Sequence, residues 1–146
     1  MGLQLNQLDL VVRDMDATVA FYRALGLDIP DGAIWRTKTG AHHVDLTMSG
    51  GFVLHFDSAA LAHVYNRGWR EPSGAGSRTV VTFKVVERDE VDRLYAKLTG
   101  LGHRGSQPPI DMFWGARYAI VQDPDGNHVG VMSASDPARR TAPPEI

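Results

Sequence analysis

The chain has 146 residues, 43% of them hydrophobic, with 15 basic and 17 acidic side chains and no cysteine. A chain of this size buries roughly 68% of its unfolded surface, enough for one core, and is expected to form a single domain. A net charge of -2 without a basic run excludes nucleic acid as a partner, the missing cysteines exclude disulfides and thiolate chemistry, and no stretch approaches the roughly 18 apolar residues of a membrane span, so a cytoplasmic protein with no membrane partner is expected.

Leu8 to Val12 is an apolar strand-like run. A helix follows from Asp14 or Asp16, either of which can cap it, to Gly26, which tolerates a left-handed C-terminal conformation. Three strands are expected next, Ala33 to Thr37, His42 to Met48 and Phe52 to Asp57, with Ser49, Gly50 and Gly51 as the turn between the last two. Ala59 to Tyr65 has the length of one short helix, and Glu71 to Gly76 the composition of a linker.

A second strand-helix pair begins near Thr79, with Val80 to Val86 as its strand. Val91, Leu94, Tyr95, Leu98 and Leu101 recur at the spacing of one buried helix face, and Gly100 and Gly102 offer the stop. Gly105 to Pro108, Trp114 to Val121 and His128 to Met132 are the remaining strands, the last two joined by the turn Asp123 to Asn127. Residues 135–146, with four prolines or arginines beyond Pro137, are expected to be a flexible tail. Tyr22 and Tyr95 are 73 residues apart, close to half the chain, so the sequence reads as one supersecondary unit written twice. The units are about 4–57 and 79–133 with a linker at 58–78, all within one domain at 1–134.

The run Gln7 Leu8 Asp9 Leu10 Val11 Val12 Arg13 Asp14, the later Phe21 Tyr22, the run Trp114 Gly115 Ala116 Arg117 Tyr118 and the turn Asp123 Pro124 Asp125 Gly126 Asn127 resemble the vicinal oxygen chelate superfamily. That is the group of glyoxalase I, bleomycin resistance proteins and extradiol dioxygenases, and the likeness spans about Leu5 to Ser133. It implies an α+β fold in which two βαβββ units form an incomplete barrel with helices outside, pairing with a second subunit to close each cavity. It also implies a small-molecule ligand and, in metal-dependent relatives, four His, Glu or Gln ligands from the first and last strands of each unit.

On that pattern the first two metal positions fall on Gln7 and His55. The third falls on Val80, inside a window from Ser77 to Lys84 without His, Asp, Glu or Cys, and the fourth on Gly130, with His128 two residues earlier as the one substitute. The resemblance therefore implies a family member without a catalytic metal or other cofactor. The alternative is a lyase, isomerase or dioxygenase using Gln7, His55 and His128.

Each candidate also has a plainer role. Gln7 is either a cavity residue or a hydrogen-bonded strand residue. His55 shares a strand face with Val53 and Asp57, away from Phe52, Leu54 and Phe56. His42 and His43 are expected to point to opposite sides of a regular strand. His43 with Asp45 is either a base beside its orienting acid or a solvated sheet face. His63 and His103 are expected to be solvated.

Trp35, Trp69, Phe113, Trp114 and Tyr118 lie in or beside loops and strands rather than on helix core faces, which suits stacking on a planar ligand as well as packing. Arg117 is suited either to an acidic ligand group or to an interface. The pair Gly74 and Gly76 makes no phosphate loop, and no serine sits in a Gly-x-Ser-x-Gly elbow. Two functions remain: a binder of a planar organic molecule in an aromatic-lined dimeric groove, or an enzyme, metal-dependent or using His43 or His55 as a general base.

Overall fold

A computed structural model describes residues 3–67, 69–74 and 77–145; Ala75 and Gly76, the end of the expected linker, lie outside them. The chain divides into a unit ending at Gly74 and a unit beginning at Ala75. In chain order the first holds β1 (Gln7–Val12), α1 (Met15–Leu25), a 3-10 turn (Asp31–Ala33), β2 (Ile34–Thr37), β3 (Gly40–Thr47), β4 (Val53–Ser58) and α2 (Ala59–Tyr65). The second holds β5 (Val80–Lys84), α3 (Arg88–Gly100), β6 (Gly105–Asp111), β7 (Arg117–Gln122), β8 (His128–Met132) and a 3-10 turn (Pro137–Arg139). The fold is α+β. Each unit is βαβββ, and each sheet is open and four-stranded, in the order β1-β4-β3-β2 and β5-β8-β7-β6. The first and last strands of each unit pair in parallel, as a helical crossover requires.

In the first unit, strand alternation separates two chemistries. Leu10, Val12, Val44, Leu46, Leu54 and Phe56 are buried, and α1 packs on β3 and β4 with Tyr22 stacked on Phe56 at a ring separation of 4.6 Å. Burying such a side chain contributes about 1.5–3 kcal/mol, which fixes the strand register. Gln7, Asp9, His43, Asp45, His55 and Asp57 are consequently turned to the other face, where α2 lies. The Asp14 carboxylate accepts the Ala17 N–H at 2.9 Å, and Gly26 ends α1 at φ 125°, as expected for both.

In the second unit α3 buries Val91 and Leu98. Leu101, expected on the same face, is 60% exposed because it lies one residue beyond the helix end. The strand expected from Val80 to Val86 stops at Lys84, and the strand expected from Trp114 starts only at Arg117. Residues 112–116 form the hairpin turn instead, with Gly115 at φ 94° and its N–H donating to Met112 O at 2.9 Å. Past Ser135, the Asp136 N–H donates to Gly115 O at 3.1 Å and the Thr141 N–H to Phe113 O at 2.9 Å, so backbone bonds tether the first part of the expected tail.

Candidate functional site: two histidine-aspartate pairs on the polar face of the first unit

Parallel pairing of β1 with β4 sets Asp9 opposite His55 and Val11 opposite Asp57, while antiparallel pairing of β3 with β4 sets Asp45 opposite His55 and His43 opposite Asp57. One row of polar side chains therefore crosses three strands, and a second crosses β3 and β4 and ends at Val11. In one row His55 Nδ1 lies 2.8 Å from Asp9 Oδ1 and His55 Nε2 lies 3.7 Å from Asp45 Oδ1. In the other, His43 Nδ1 lies 2.6 Å from Asp57 Oδ1. A carboxylate can only accept, so each Nδ1 carries the proton and each Nε2 is left as the basic nitrogen. The two imidazoles meet edge to face, with ring centres 4.8 Å apart.

Asp57 is the anchor. It is 1% exposed, and its second oxygen accepts the Tyr65 hydroxyl at 2.8 Å, so a helix that starts directly after β4 folds back over the carboxylate the strand presents. Burial, followed by that hydrogen bond and the negative charge of Asp57, pushes the Tyr65 phenol well above its ordinary range. Asp9 is pushed up by burial, but hydrogen bonds from Gln7 and His55 outweigh this and hold it below the usual value. Gln7 Nε2 donates to both Asp9 oxygens at 2.9 and 3.2 Å, and its own carbonyl oxygen accepts from Asn6. These groups, with Leu61, line a cavity of 370 Å³.

Beside it lies a second hollow of 260 Å³ that shares Leu61 and is bordered by Trp35, His42 and Val64. Arg36 pairs with Ala41 but Trp35 pairs with His43, so β3 has one extra residue, His42. The bulge breaks the regular alternation on which the expectation for His42 and His43 rested, and the two border separate hollows that both reach Leu61 of α2. His42 Nε2 is shared by the Thr37 and Thr39 hydroxyls, and Nδ1 faces Ser58 Oγ, each at 3.0 Å.

The remaining candidates lie elsewhere. Trp69 packs edge-on against His63 at 5.1 Å. Phe113 and Trp114 pack on each other in the β6–β7 turn, and Trp114 meets Tyr118. Arg117 donates through Nε and Nη2 to the two Asp92 oxygens, each at 2.7 Å, and through Nη1 to Asp111 at 3.0 Å. That bidentate bond pulls Asp92 below its ordinary range and raises Arg117 further above its own. His128 sits on β8 opposite Val80.

The metal set of the superfamily can be tested on this geometry. At the fourth position, a side chain on Gly130 would put its Cβ 2.6 Å from Thr82 Oγ1 and 2.7 Å from Tyr118, whose hydroxyls bond each other at 2.9 Å. That space is filled, the third position is Val80, and the Gln7 carbonyl is engaged by Asn6, so the four-ligand set does not fit. Among the described residues His43, His55 and Asp57 offer donor atoms that all lie within 4.8 Å of one another, a three-member cluster of residue types that bind metals. Both Nδ1 atoms and both Asp57 oxygens are already hydrogen-bonded.

Sequence reasoning reached Gln7, His43 and His55 but missed Asp9, Asp57 and Tyr65 as site residues. Period-2 alternation in β1 and β4 carried a signal for the two acids. Nothing local carried one for Tyr65.

The family model of the Glyoxalase/Bleomycin resistance protein/Dioxygenase superfamily matches residues 4–131. No curated sequence matches the chain. Among solved structures, a glyoxalase/bleomycin resistance protein/dioxygenase family enzyme from Burkholderia phytofirmans superposes with a TM-score of 0.72 at 20% identity, over 90% of this chain and 98% of its own. A glyoxalase-related enzyme from Fulvimarina pelagi gives 0.72 at 23% over 90% and 88%, and lactoylglutathione lyase from Agrobacterium tumefaciens 0.63 at 20% over 92% and 96%. These likenesses establish the fold. By its family match and its paired βαβββ units, the chain belongs to the glyoxalase/bleomycin resistance protein/dioxygenase superfamily.

Proposed function

We propose that this family member is a metal-independent proton-transfer catalyst acting on a small organic molecule, with His43 as general base, and that it works as a homodimer. The observation that carries the reading is the 2.6 Å contact of His43 Nδ1 with the buried Asp57 carboxylate, itself braced by Tyr65. This arrangement fixes the tautomer and leaves Nε2, for which no hydrogen-bond partner stands among the described residues, on a side chain that lines the cavity. An imidazole so held takes a proton from a C–H or O–H acid and passes the positive charge to a site where Asp57 stabilises it. His55 is the less available base, since Asp45 stands 3.7 Å from its Nε2.

Elimination of 5-nitrobenzisoxazole tests the base directly. Removal of its C3 proton breaks the ring N–O bond and releases the coloured 2-cyano-4-nitrophenolate. The expected result is a saturable rate, unchanged by EDTA and lowered about 10²-fold in His43→Gln. A rate that EDTA abolishes, or that His43→Gln leaves intact, overturns the reading.

A second reading, in which the protein only binds a planar molecule in an aromatic-lined groove, is favoured by the exposure of Trp35 at 52% and Phe113 at 37%. In it Trp69 and Trp114 supply further stacking surface and Arg117 stays a brace. Saturable binding of the probe without elimination would support it.

A further inference from the structure

The cavity's charge and its neighbour restrict what can enter. Three carboxylates, Asp9, Asp45 and Asp57, stand around two imidazoles, so the cluster is net negative even with both histidines protonated. Among the described residues no lysine or arginine lines the cavity or the adjoining hollow. An anion would meet a half-buried negative field with no compensating cation, whereas a cation meets attraction strengthened by partial desolvation.

A divalent metal is the poorer fit. The Asp9 and Asp57 oxygens already accept hydrogen bonds from Gln7, His55, His43 and Tyr65, which leaves each fewer lone pairs than the short, several-fold coordination of a divalent ion uses. An ammonium group needs only the outward lone pairs, and Asp45, 59% exposed, offers an oxygen whose nearest charged partner is at 3.7 Å.

The apolar half of the ligand is indicated by the second hollow. Trp35 pairs with His43 across the β2–β3 ladder, stands 5.4 Å from the His42 ring and, with Leu61 and Val64, makes a shelf that shares Leu61 with the polar cavity. The His42 ring that borders this shelf is held on both nitrogens by Thr37, Thr39 and Ser58. A flat apolar group on Trp35 and a positive group among the carboxylates are therefore within one small molecule's reach.

Resting on the general-base reading of the same cavity, we infer that the substrate class is a small aromatic amine, its ring on Trp35 and its ammonium facing Asp45, Asp9 and Asp57. Phenethylamine, 2-phenylethanol and phenylacetate share a ring and a spacer and differ in charge. Titrated into the intact protein and read by tryptophan fluorescence and by the imidazole NMR signals of His43 and His55, they are expected to bind in the order amine, alcohol, acid. The amine should exceed the acid at least about tenfold, the effect of one partly screened charge contact.

Asp45→Asn should shrink that ratio and Trp35→Ala should weaken all three probes; both positions are exposed, so thermal melting should report unchanged folding. Equal affinity for amine and acid, absence of saturable binding by any probe, or indifference to Trp35→Ala overturns the inference. If the charge order is missing while His43→Gln still removes benzisoxazole elimination, the inference fails and the general base stands. If the order holds while elimination ignores His43, the general base fails and a cation-binding pocket remains.

Discussion

Asp9 shows how a single position acquires its role from its neighbours. Read along β1 it is one polar residue in an alternating strand. Across the sheet it accepts from Gln7 and orients His55. Its hydrogen bonds hold its carboxyl below the ordinary value of 3.8. A carboxyl lowered in the folded state adds stability that is fully present above the unfolded value and is lost as pH falls through the folded one. Urea midpoints measured from pH 6 down to pH 2.5 should therefore fall more steeply below about pH 4 for the natural protein than for Asp9→Asn, with parallel curves refuting the assignment. Gly130 is the counterpart in the second unit: lacking a side chain, it leaves room for the Thr82 and Tyr118 hydroxyls to meet, and its effect was visible in the sequence only as a missing donor.

Among the elements, the two crossover helices start 73 residues apart, at Met15 and Arg88, and so do the strands before them, at Gln7 and Val80. They are capped differently, α1 by the Asp14 side chain and α3 by a reciprocal box between Glu87 and Glu90, each satisfying amides that a helix start leaves open. The hairpin between β6 and β7 depends on a side chain. Arg117 ties the base of β7 to α3 through Asp92 and to β6 through Asp111, and Arg88 joins Asp111 and Gly115 O from the helix. Arg117→Met should cost about 1 kcal/mol, the order of a bidentate, partly exposed ion pair. It should also speed amide exchange at Met112 and Gly115, whose N–H groups close the turn; unchanged exchange would show that the backbone alone holds the loop. The sequence marked Trp114 to Val121 as one apolar strand, and it missed the turn because its glycine stands between a tryptophan and an alanine rather than in a polar cluster.

At the scale of the whole molecule, two copies of one unit carry different chemistry on corresponding faces, hydrogen-bonded acids and imidazoles in the first and a hydroxyl pair over Gly130 in the second. Leu3 and Leu5 are large apolar side chains left exposed, outside the ligand shelf, and a partner subunit would cover them. Sedimentation at micromolar concentration is expected to give about twice the 16.0 kDa chain mass, and a sharp monomer would remove the homodimer from the proposal. The sequence by itself determined the repeat, the cap and stop of α1, the two βαβββ units and the family, because each is written in local periodicity and turn chemistry or in their recurrence along the chain. Only the tertiary structure decided the site. Strand pairing set Asp9 beside His55 across 46 positions, a one-residue bulge interrupted β3 at His42, and α2 folded Tyr65 back onto Asp57. Pairing offset and helix placement come from contacts between distant segments, and no residue pattern within one segment encodes them.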